Sequence, residues 1–365
     1  MYIKQIQLQN FRNYANVTAQ FHKSVNLFLG QNAQGKTNLL ESIYITSMGK
    51  SFRTNKDKEM IRFGEDFFRV KINAFKEEDL TVEIAVNREG KKGIKIDGVK
   101  AKKLSQLFEE IYMVVFSPED LKIVKDEPEK RRKFTDRELC QIKPSYYNNL
   151  HQYKKALMQR NAYLKESRID ESVLDIWDLK LSEYGSKIIK ERVSFIEKIN
   201  RISSRIHTGI TNQKEKLQVI YEPSIHPREE LQIYFYEQVK KSRQRDIKNR
   251  TTGKGPHKDD LKLLANGIDI RNFGSQGQQR TAALSLKLSE IQMIKEETGE
   301  HPVLLLDDVL SELDQERQNY LINYLKDIQI FITTTELSKE VENFLTQGKT
   351  FYISNGYISM EKQSL

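Results

Sequence analysis

GQNAQGKTNLLESIYI, Gly30 to Ile45, sets two glycines, a lysine and a threonine between two differently spaced apolar runs. Upstream, Val25, Leu27 and Leu29 recur at every second position. Downstream, Leu39, Leu40, Ile43 and Tyr44 recur at helical spacing. The reading is strand, glycine loop, helix. Gly30-x-x-x-x-Gly35-Lys36-Thr37 satisfies the whole P-loop pattern. Its glycines let successive backbone N–H groups turn inward onto a phosphate, and the new helix adds its positive end. Gly30, Gln31, Asn32, Ala33, Gln34, Gly35, Lys36 and Thr37 are therefore expected to hold ATP. Lys36 would reach the β- and γ-phosphates, and the Thr37 hydroxyl would ligate Mg2+.

The complement to such a loop is an acid delivered by a second strand. His301-Pro-Val-Leu-Leu-Leu-Asp-Asp308 is an apolar run ending in two carboxylates. Asp307 is the expected magnesium residue and Asp308 the group that orients and deprotonates the attacking water. Capping of the next helix is the plainer reading of two such acids, and the P-loop tips the balance. Between the two halves, Phe273-Gly-Ser-Gln-Gly-Gln-Gln-Arg280 precedes a helix carrying Leu284, Leu288 and Ile291 on one face and stopped at Gly299. Ser275, Gly277 and Gln278 at its start make a second anion-binding surface. One site has little need of two, so the second is expected to serve a partner's nucleotide in a head-to-tail homodimer. Ser311 to Asp314 would line that interface. A simple helix-capping loop is the alternative for Ser275 to Gln278.

The chain has 365 residues, 38% hydrophobic and 30% charged, which describes a soluble globular protein with room for more than one unit. A single cysteine, Cys140, cannot form an internal disulfide. No apolar run reaches the length of about 18 residues that a membrane span needs. Ile6 and Leu8 alternate with glutamines like a strand, not like a signal peptide. A cytoplasmic protein is expected. Thr81 to Ile96 reads as short strands turning at Glu89-Gly90 and Asp97-Gly98, and Ile111 to Phe116 as a buried strand. The texture then changes. Leu150, Tyr153, Leu157 and Leu164 form one helical stripe; Leu174, Trp177, Leu181, Tyr184 and Ile188 form another, continued by Phe195, Ile199, Ile202 and Ile206. Two long helices joined near Glu171 suggest an arm, the second running for roughly thirty residues, with ordinary packed helices of one domain as the alternative. The expected fold is α/β, a P-loop NTPase with an inserted, mainly helical arm domain. Its expected limits are 1–117 and 251–365 for the ATPase head and 118–250 for the arm.

A net charge of +9 favours an anionic partner. Lys240, Lys241, Arg243, Arg245, Lys248 and Arg250 crowd one short segment, opposed there only by Asp246. Such density suits DNA phosphates without base readout, although a solvated face is the plainer reading of any charge run.

Taken together the motifs resemble ABC-type ATPases and, among them, the RecF family of bacterial DNA repair and replication proteins. The resemblance covers essentially the whole chain. It rests on Phe11-Arg-Asn-Tyr14, Gly30 to Thr37, Phe116-Ser-Pro-Glu-Asp-Leu121, Arg131-Arg132, Gly255-Pro-His-Lys-Asp-Asp-Leu261, Ser275 to Arg280 and Leu305 to Asp314. It implies a cytoplasmic ATPase, weak and stimulated by DNA, that dimerises on ATP and binds single-strand/duplex junctions at gaps. It further implies action with RecR and RecO in loading RecA, and a link to the SOS response. On that likeness Lys36, Thr37 and Asp307 hold MgATP, Ser275 meets the opposite subunit's γ-phosphate, and Asp308 supports slow hydrolysis. The chain departs from the family pattern at Asp126-Glu127-Pro128, Phe52 and Thr135, and Glu336 stands where transporter ATPases carry a histidine. A transporter-coupled ATPase subunit and a non-hydrolysing adaptor are the competing readings. The first lacks an evident glutamine loop and switch histidine; the second is at odds with an intact set of Lys36, Thr37, Asp307 and Asp308.

Overall fold

The computed structural model describes residues 1–325, 327–335 and 348–360. The chain divides into two compact units, residues 1–120 with 294–365, and residues 121–293.

In the first unit the chain runs β1 (Tyr2–Phe11), β2 (Tyr14–Gln20), β3 (Val25–Leu29), α1 (Lys36–Met48), β4 (Phe67–Phe75), β5 (Asp79–Asn87), β6 (Lys92–Ile96), β7 (Val99–Lys100) and β8 (Met113–Phe116). In the second it continues α2 (Leu121–Lys125), α3 (Pro128–Ile142), α4 (Pro144–Tyr163), α5 (Glu171–Ile210), β9 (Leu217–Glu222), α6 (Leu231–Asn249), β10 (Asp260–Ala265), β11 (Ile268–Asp269) and α7 (Ile270–Phe273). Helix α8 (Gln276–Thr298) contains the division between the units. The first unit then resumes with β12 (Val303–Asp307), α9 (Gln315–Tyr324), β13 (Ile330–Thr334), β14 (Lys349–Ser354) and β15 (Tyr357–Ser359).

The first unit contains two sheets. One is antiparallel, ordered β2-β1-β4-β5-β6-β7, and its strands alternate as half-buried strands should: Phe68, Val70, Ile72 and Ala74 of β4 point inward between exposed or half-exposed neighbours. The other is ordered β15-β14-β3-β13-β12-β8, with β14, β3, β13, β12 and β8 parallel. Strands β12 and β13 are buried at every position, the continuous apolar texture of a sheet covered on both faces. Helix α1 touches strands of both sheets and is buried on nearly all sides, which explains why its apolar residues show no clean stripe. Phe21, Phe28, Phe331 and Phe351 cluster over the parallel sheet, with the rings of Phe21 and Phe331 edge-on at 4.8 Å between centroids.

The second unit is helical around a three-stranded antiparallel sheet, β11-β10-β9. Helix α5 runs 40 residues rather than the thirty that its apolar stripe suggests, capped by Asp170, whose side chain accepts the Ser172 N–H. Trp177 and Tyr184, read as part of that stripe, are only half-buried; Leu174, Leu181, Ile188 and Ile189 carry the packing. Residues 251–293, expected in the returning head, group with this unit because β10 pairs along its whole length with β9. Arg131 grips the Asp260 carboxylate with both ends of its fork, at 2.6 and 2.9 Å, and its Nη1 reaches the Asp126 carbonyl at 2.7 Å. Arg132 donates to the Asp259 carbonyl at 2.8 Å. The arginine pair is thus a tether between α3 and the start of β10.

Candidate nucleotide-binding site

The parallel register decides what meets at the carboxyl edge of the sheet. Asp307 ends β12 level with Thr333 of β13, and Thr333 is level with Phe28 of β3, two residues before the glycine loop. The loop and the acid, some 270 residues apart, therefore emerge at one edge with a single strand between them, where ligands of open α/β sheets bind. The Thr37 hydroxyl donates to Asp307 Oδ1 at 2.8 Å, and the Thr333 hydroxyl donates to the same oxygen at 2.9 Å. Thr333 Oγ1 in turn accepts the Asp308 N–H at 2.9 Å. Asp308 has φ 54°, a left-handed turn that carries its side chain off the strand axis. The Ser311 hydroxyl donates to its carbonyl at 2.7 Å.

The loop itself is fixed from below. Gly30 passes so close to β14 that a Cβ would lie 2.3 Å from the Ile353 carbonyl oxygen. Gly35 takes φ 117°, and a side chain there would strike the Asn13 amide. Asn13 Nδ2 donates to the Gln34 carbonyl at 2.9 Å and the Tyr14 hydroxyl to the Gly35 carbonyl at 3.0 Å, so the Phe-Arg-Asn-Tyr turn holds the loop's backbone. The Lys36 ammonium donates to the carbonyls of Gly30 (2.6 Å) and Gln31 (2.9 Å). Its third N–H has no protein partner among the described residues. Burial lowers the Lys36 pKa, partly offset by Asp308 and Asp307. Burial raises that of Asp307 against the opposing pull of the Thr37 and Thr333 hydrogen bonds.

These groups line a cavity of about 300 Å³ bounded by Asn32, Ala33, Gly35, Lys36, Thr37, Asn38, Arg53, Asp307, Asp308 and Thr333. Thr333, Asn38 and Arg53 escaped the sequence reading. Thr333 sits in an apolar run that signals only a strand, and Arg53 follows α1 in a loop with no motif spacing. Phe52, a departure from the family pattern, packs edge-on to Tyr44 of α1 at 5.3 Å between centroids. A hydroxyl and one carboxylate are hard oxygen donors, and no group of three or more His, Cys, Asp or Glu side chains elsewhere among the described residues could cage an ion. That donor set fits Mg2+, which keeps waters and phosphate oxygens in its shell, better than Ca2+ or Zn2+.

In the second unit the glutamine-rich stretch forms a capping box. Ser275 Oγ accepts the Gln278 N–H at 3.2 Å, and Gln278 Oε1 accepts the Ser275 N–H at 2.9 Å. Gln278 Nε2 is also tied to Glu215 at 2.8 Å. The capping alternative is therefore realised within the chain, while Ser275 and Gln276 remain exposed and Phe273 is 77% exposed. Of the expected DNA residues, Arg243 is 4% exposed and donates to Asp178 Oδ2 at 2.8 Å and to Asp175. Arg243 thus belongs to a structural ion pair and not to the phosphate contact expected of it. Lys240 lies 3.9 Å from Asp175 and over the Tyr236 ring. Lys241, Arg245, Lys248 and Arg250 are exposed, the first three on one face of α6. Asp314 caps α9 by accepting the Arg317 N–H at 3.0 Å. Glu336 lies outside the described residues, as does the side chain of Glu312.

A P-loop and a strand-borne acid on a parallel sheet, backed by an antiparallel sheet, define an ATP-binding head of the ABC-ATPase class. A family model described as RecF/RecN/SMC N terminal domain matches residues 2–356. The DNA replication and repair protein RecF of Lachnospira eligens is 48% identical over 367 residues, covering 99% of this chain and 100% of that one. That of Clostridium novyi is 45% identical over 360 residues, covering 98% and 100%. A solved structure of the recombination mediator protein RecF with ATP, described as of the RecFOR pathway, superposes with a TM-score of 0.91 at 41% identity, covering 98% of this chain and 97% of that one. A SMC head bound to the C-terminal winged-helix domain of ScpA shares the fold at a TM-score of 0.56 and 16% identity, over 98% and 96% of the two chains. The chain belongs to the RecF family.

Proposed function

We propose that this protein is an ATP-gated DNA clamp of recombinational repair and replication, in which ATP in the β3–α1 pocket joins two copies around DNA and slow, DNA-stimulated hydrolysis releases them. The observation that supports it most is the 2.8 Å hydrogen bond between Thr37 and Asp307 beside the Lys36 ammonium. Loop, cation and acid stand together as a triphosphate pocket requires. Thr37 and Asp307 would hold Mg2+, which when bound supplies charge neutralisation across the β- and γ-phosphates. Lys36 fixes the triphosphate. Asp308, carried by its left-handed turn, orients a water and takes its proton as the oxygen bonds to γ-phosphorus and the bond to ADP breaks.

The second copy would bring its Ser275 to the γ-phosphate, its exposed hydroxyl and helix N-terminus exchanging the capping bond for a phosphate oxygen. The exposed cations of α6 would follow a DNA backbone without reading sequence. The resemblance to the RecF family gives RecR and RecO as the partners to expect, with RecA loaded at single-strand/duplex junctions and a link to the SOS response; the solved relative is itself described as of the RecFOR pathway.

Sedimentation with and without ATP, on gapped and on blunt duplex, tests this reading. Wild-type protein is expected to dimerise on ATP. Lys36→Ala should lose both ATP binding and the dimer. Ser275→Arg should keep ATP binding and lose the dimer, and a full ATP dimer of Ser275→Arg would refute the cross-subunit role.

A further inference from the structure

Glu41 is a carboxylate with no solvent exposure on α1, five residues beyond the P-loop lysine, and the pocket itself does not use it. Arg12 grips it with both ends of its fork: Nε to Oε2 at 2.9 Å and Nη2 to Oε1 at 2.8 Å. The Ser51 hydroxyl also donates to Oε1, and Arg53 Nη1 stands 3.4 Å from Oε2. One buried negative charge thus faces two guanidinium groups. Arg12 consumes most of it, and the surplus positive charge resides on Arg53, which lines the cavity with Lys36, Asp307 and Asp308.

Arg53 is held by one nitrogen only. Nη1 donates to Asn38 Oδ1 at 2.7 Å, and Asn38 Nδ2 donates to Asn13 Oδ1 at 2.9 Å, the same Asn13 that supports the loop backbone. Its Nε and Nη2 have no partner among the described residues. Arg12 adopts φ 52°, an unfavourable left-handed conformation for a long side chain, which persists where surrounding bonds over-determine it. Those bonds are its own N–H to the Met60 carbonyl at 2.8 Å, its Nη1 to the Glu59 carbonyl at 2.7 Å, and the Glu41 fork.

We infer that Glu41, locked by Arg12, is a positioning residue that aims Arg53 at the terminal phosphate and so gives the pocket its preference for ATP over ADP. The inference rests on the pocket being an ATP site. An uncompensated second arginine near Glu41 would swing into solvent, whereas one anchored at Nη1 keeps two donors toward the cavity. Arg53 shares the cavity with the paired acids, so its donors meet the phosphate that ADP lacks.

Calorimetric titration with Mg-ADP and with a slowly hydrolysed Mg-ATP analogue tests this, alongside the melting temperature. Arg53→Ala and Glu41→Gln are each expected to cut the ATP/ADP affinity ratio about tenfold, the scale of one charge-assisted hydrogen bond. Affinity for ADP should stay within about twofold, and the double variant should lose no more than the worse single one. Ser51→Ala, which strips one bond from Glu41 without uncovering a charge, should move the ratio the same way by a smaller factor. Should Glu41→Gln not fold, Ser51→Ala and Arg12→Lys decide the matter. Equal weakening of both nucleotides, independent and multiplying effects, or an unchanged ratio in the folded variants overturns the inference. A wild-type protein that bound neither nucleotide would instead overturn the ATP-site reading itself.

Discussion

Gly30 shows how little freedom the pocket leaves at the scale of one residue. A methyl group there would press on the Ile353 carbonyl at 2.3 Å, an obstacle that belongs to backbone and cannot rotate away. Gly30→Ala is expected to cost about 1–3 kcal/mol, as overpacking does, and to displace the Gly30 carbonyl on which Lys36 rests. Chemical denaturation and ATP titration should register both losses; an alanine variant as stable and as tight as wild type would mean that the strand pair is looser than its geometry. Asp307 presents a different limit. It accepts two hydroxyl bonds on one oxygen while burial raises its pKa, so only the outer oxygen is open to a cation. Asp307→Asn keeps the size and both acceptor contacts but removes the charge. Expected is the loss of the Mg2+-dependent part of ATP affinity, with metal-free binding retained.

Elements carry their own constraints, and two in the second unit are measurable. Helices α4, α5 and α6 are joined by buried charge: Asp178, with no exposure, accepts from Arg160 Nε at 2.6 Å and from Arg243 Nε at 2.8 Å. Removing one partner strands the others, so Arg243→Ala is expected to destabilise the protein by about 3–5 kcal/mol without altering nucleotide affinity. The second constraint is the entry to β10. The His257 ring accepts from the Tyr153 hydroxyl at Nδ1 (2.6 Å) and donates through Nε2 to the Thr252 carbonyl (3.0 Å), an arrangement that requires the neutral ring. Burial depresses its pKa from 6.5 to about 4. A depressed pKa means that the unfolded chain binds the proton more tightly. Stability from this group is therefore complete above 6.5, falls as pH drops toward 4, and is about 2 kcal/mol lower by pH 5. Urea titrations at pH 7.5 and 5 should show that loss, and His257→Gln should reduce it by most of this amount. These contacts explain what the sequence could not convey. Arg243 sits in a basic run and looks like its neighbours; its acidic partners Asp175 and Asp178 come from a helix some 65 residues earlier. Only the turn of α6 separates it from the exposed face.

Across the whole chain, legibility followed the locality of the signal. Strand, loop and helix around Gly30, and the apolar strand ending at Asp307, are periodic runs that declare themselves; the parallel register then brings them together without further information. Glu41, Arg53 and Thr333 declare nothing, because their roles arise from side chains converging from separate elements. The charge of +9 shows the same divide. Of six cations read as a DNA contact, Arg243 is internal and Lys240 is partly neutralised, which leaves Lys241, Arg245 and Lys248 at helical spacing with Arg250 just beyond the helix. If that stripe follows a phosphate backbone, each contact releases condensed counterions and contributes roughly 0.9 to the slope of log affinity against log salt. Changing Lys241, Arg245 and Lys248 together to glutamine should lower the slope on duplex DNA by about 2.7. Affinity should fall alike for unrelated sequences, and ATP affinity should be unchanged, because all three lie outside the pocket. The comparison is made as salt series rather than at one ionic strength, since a single point confounds lost contacts with lost fold. A triple variant with the wild-type slope would remove α6 from the DNA surface and oblige the protein's positive charge to act elsewhere.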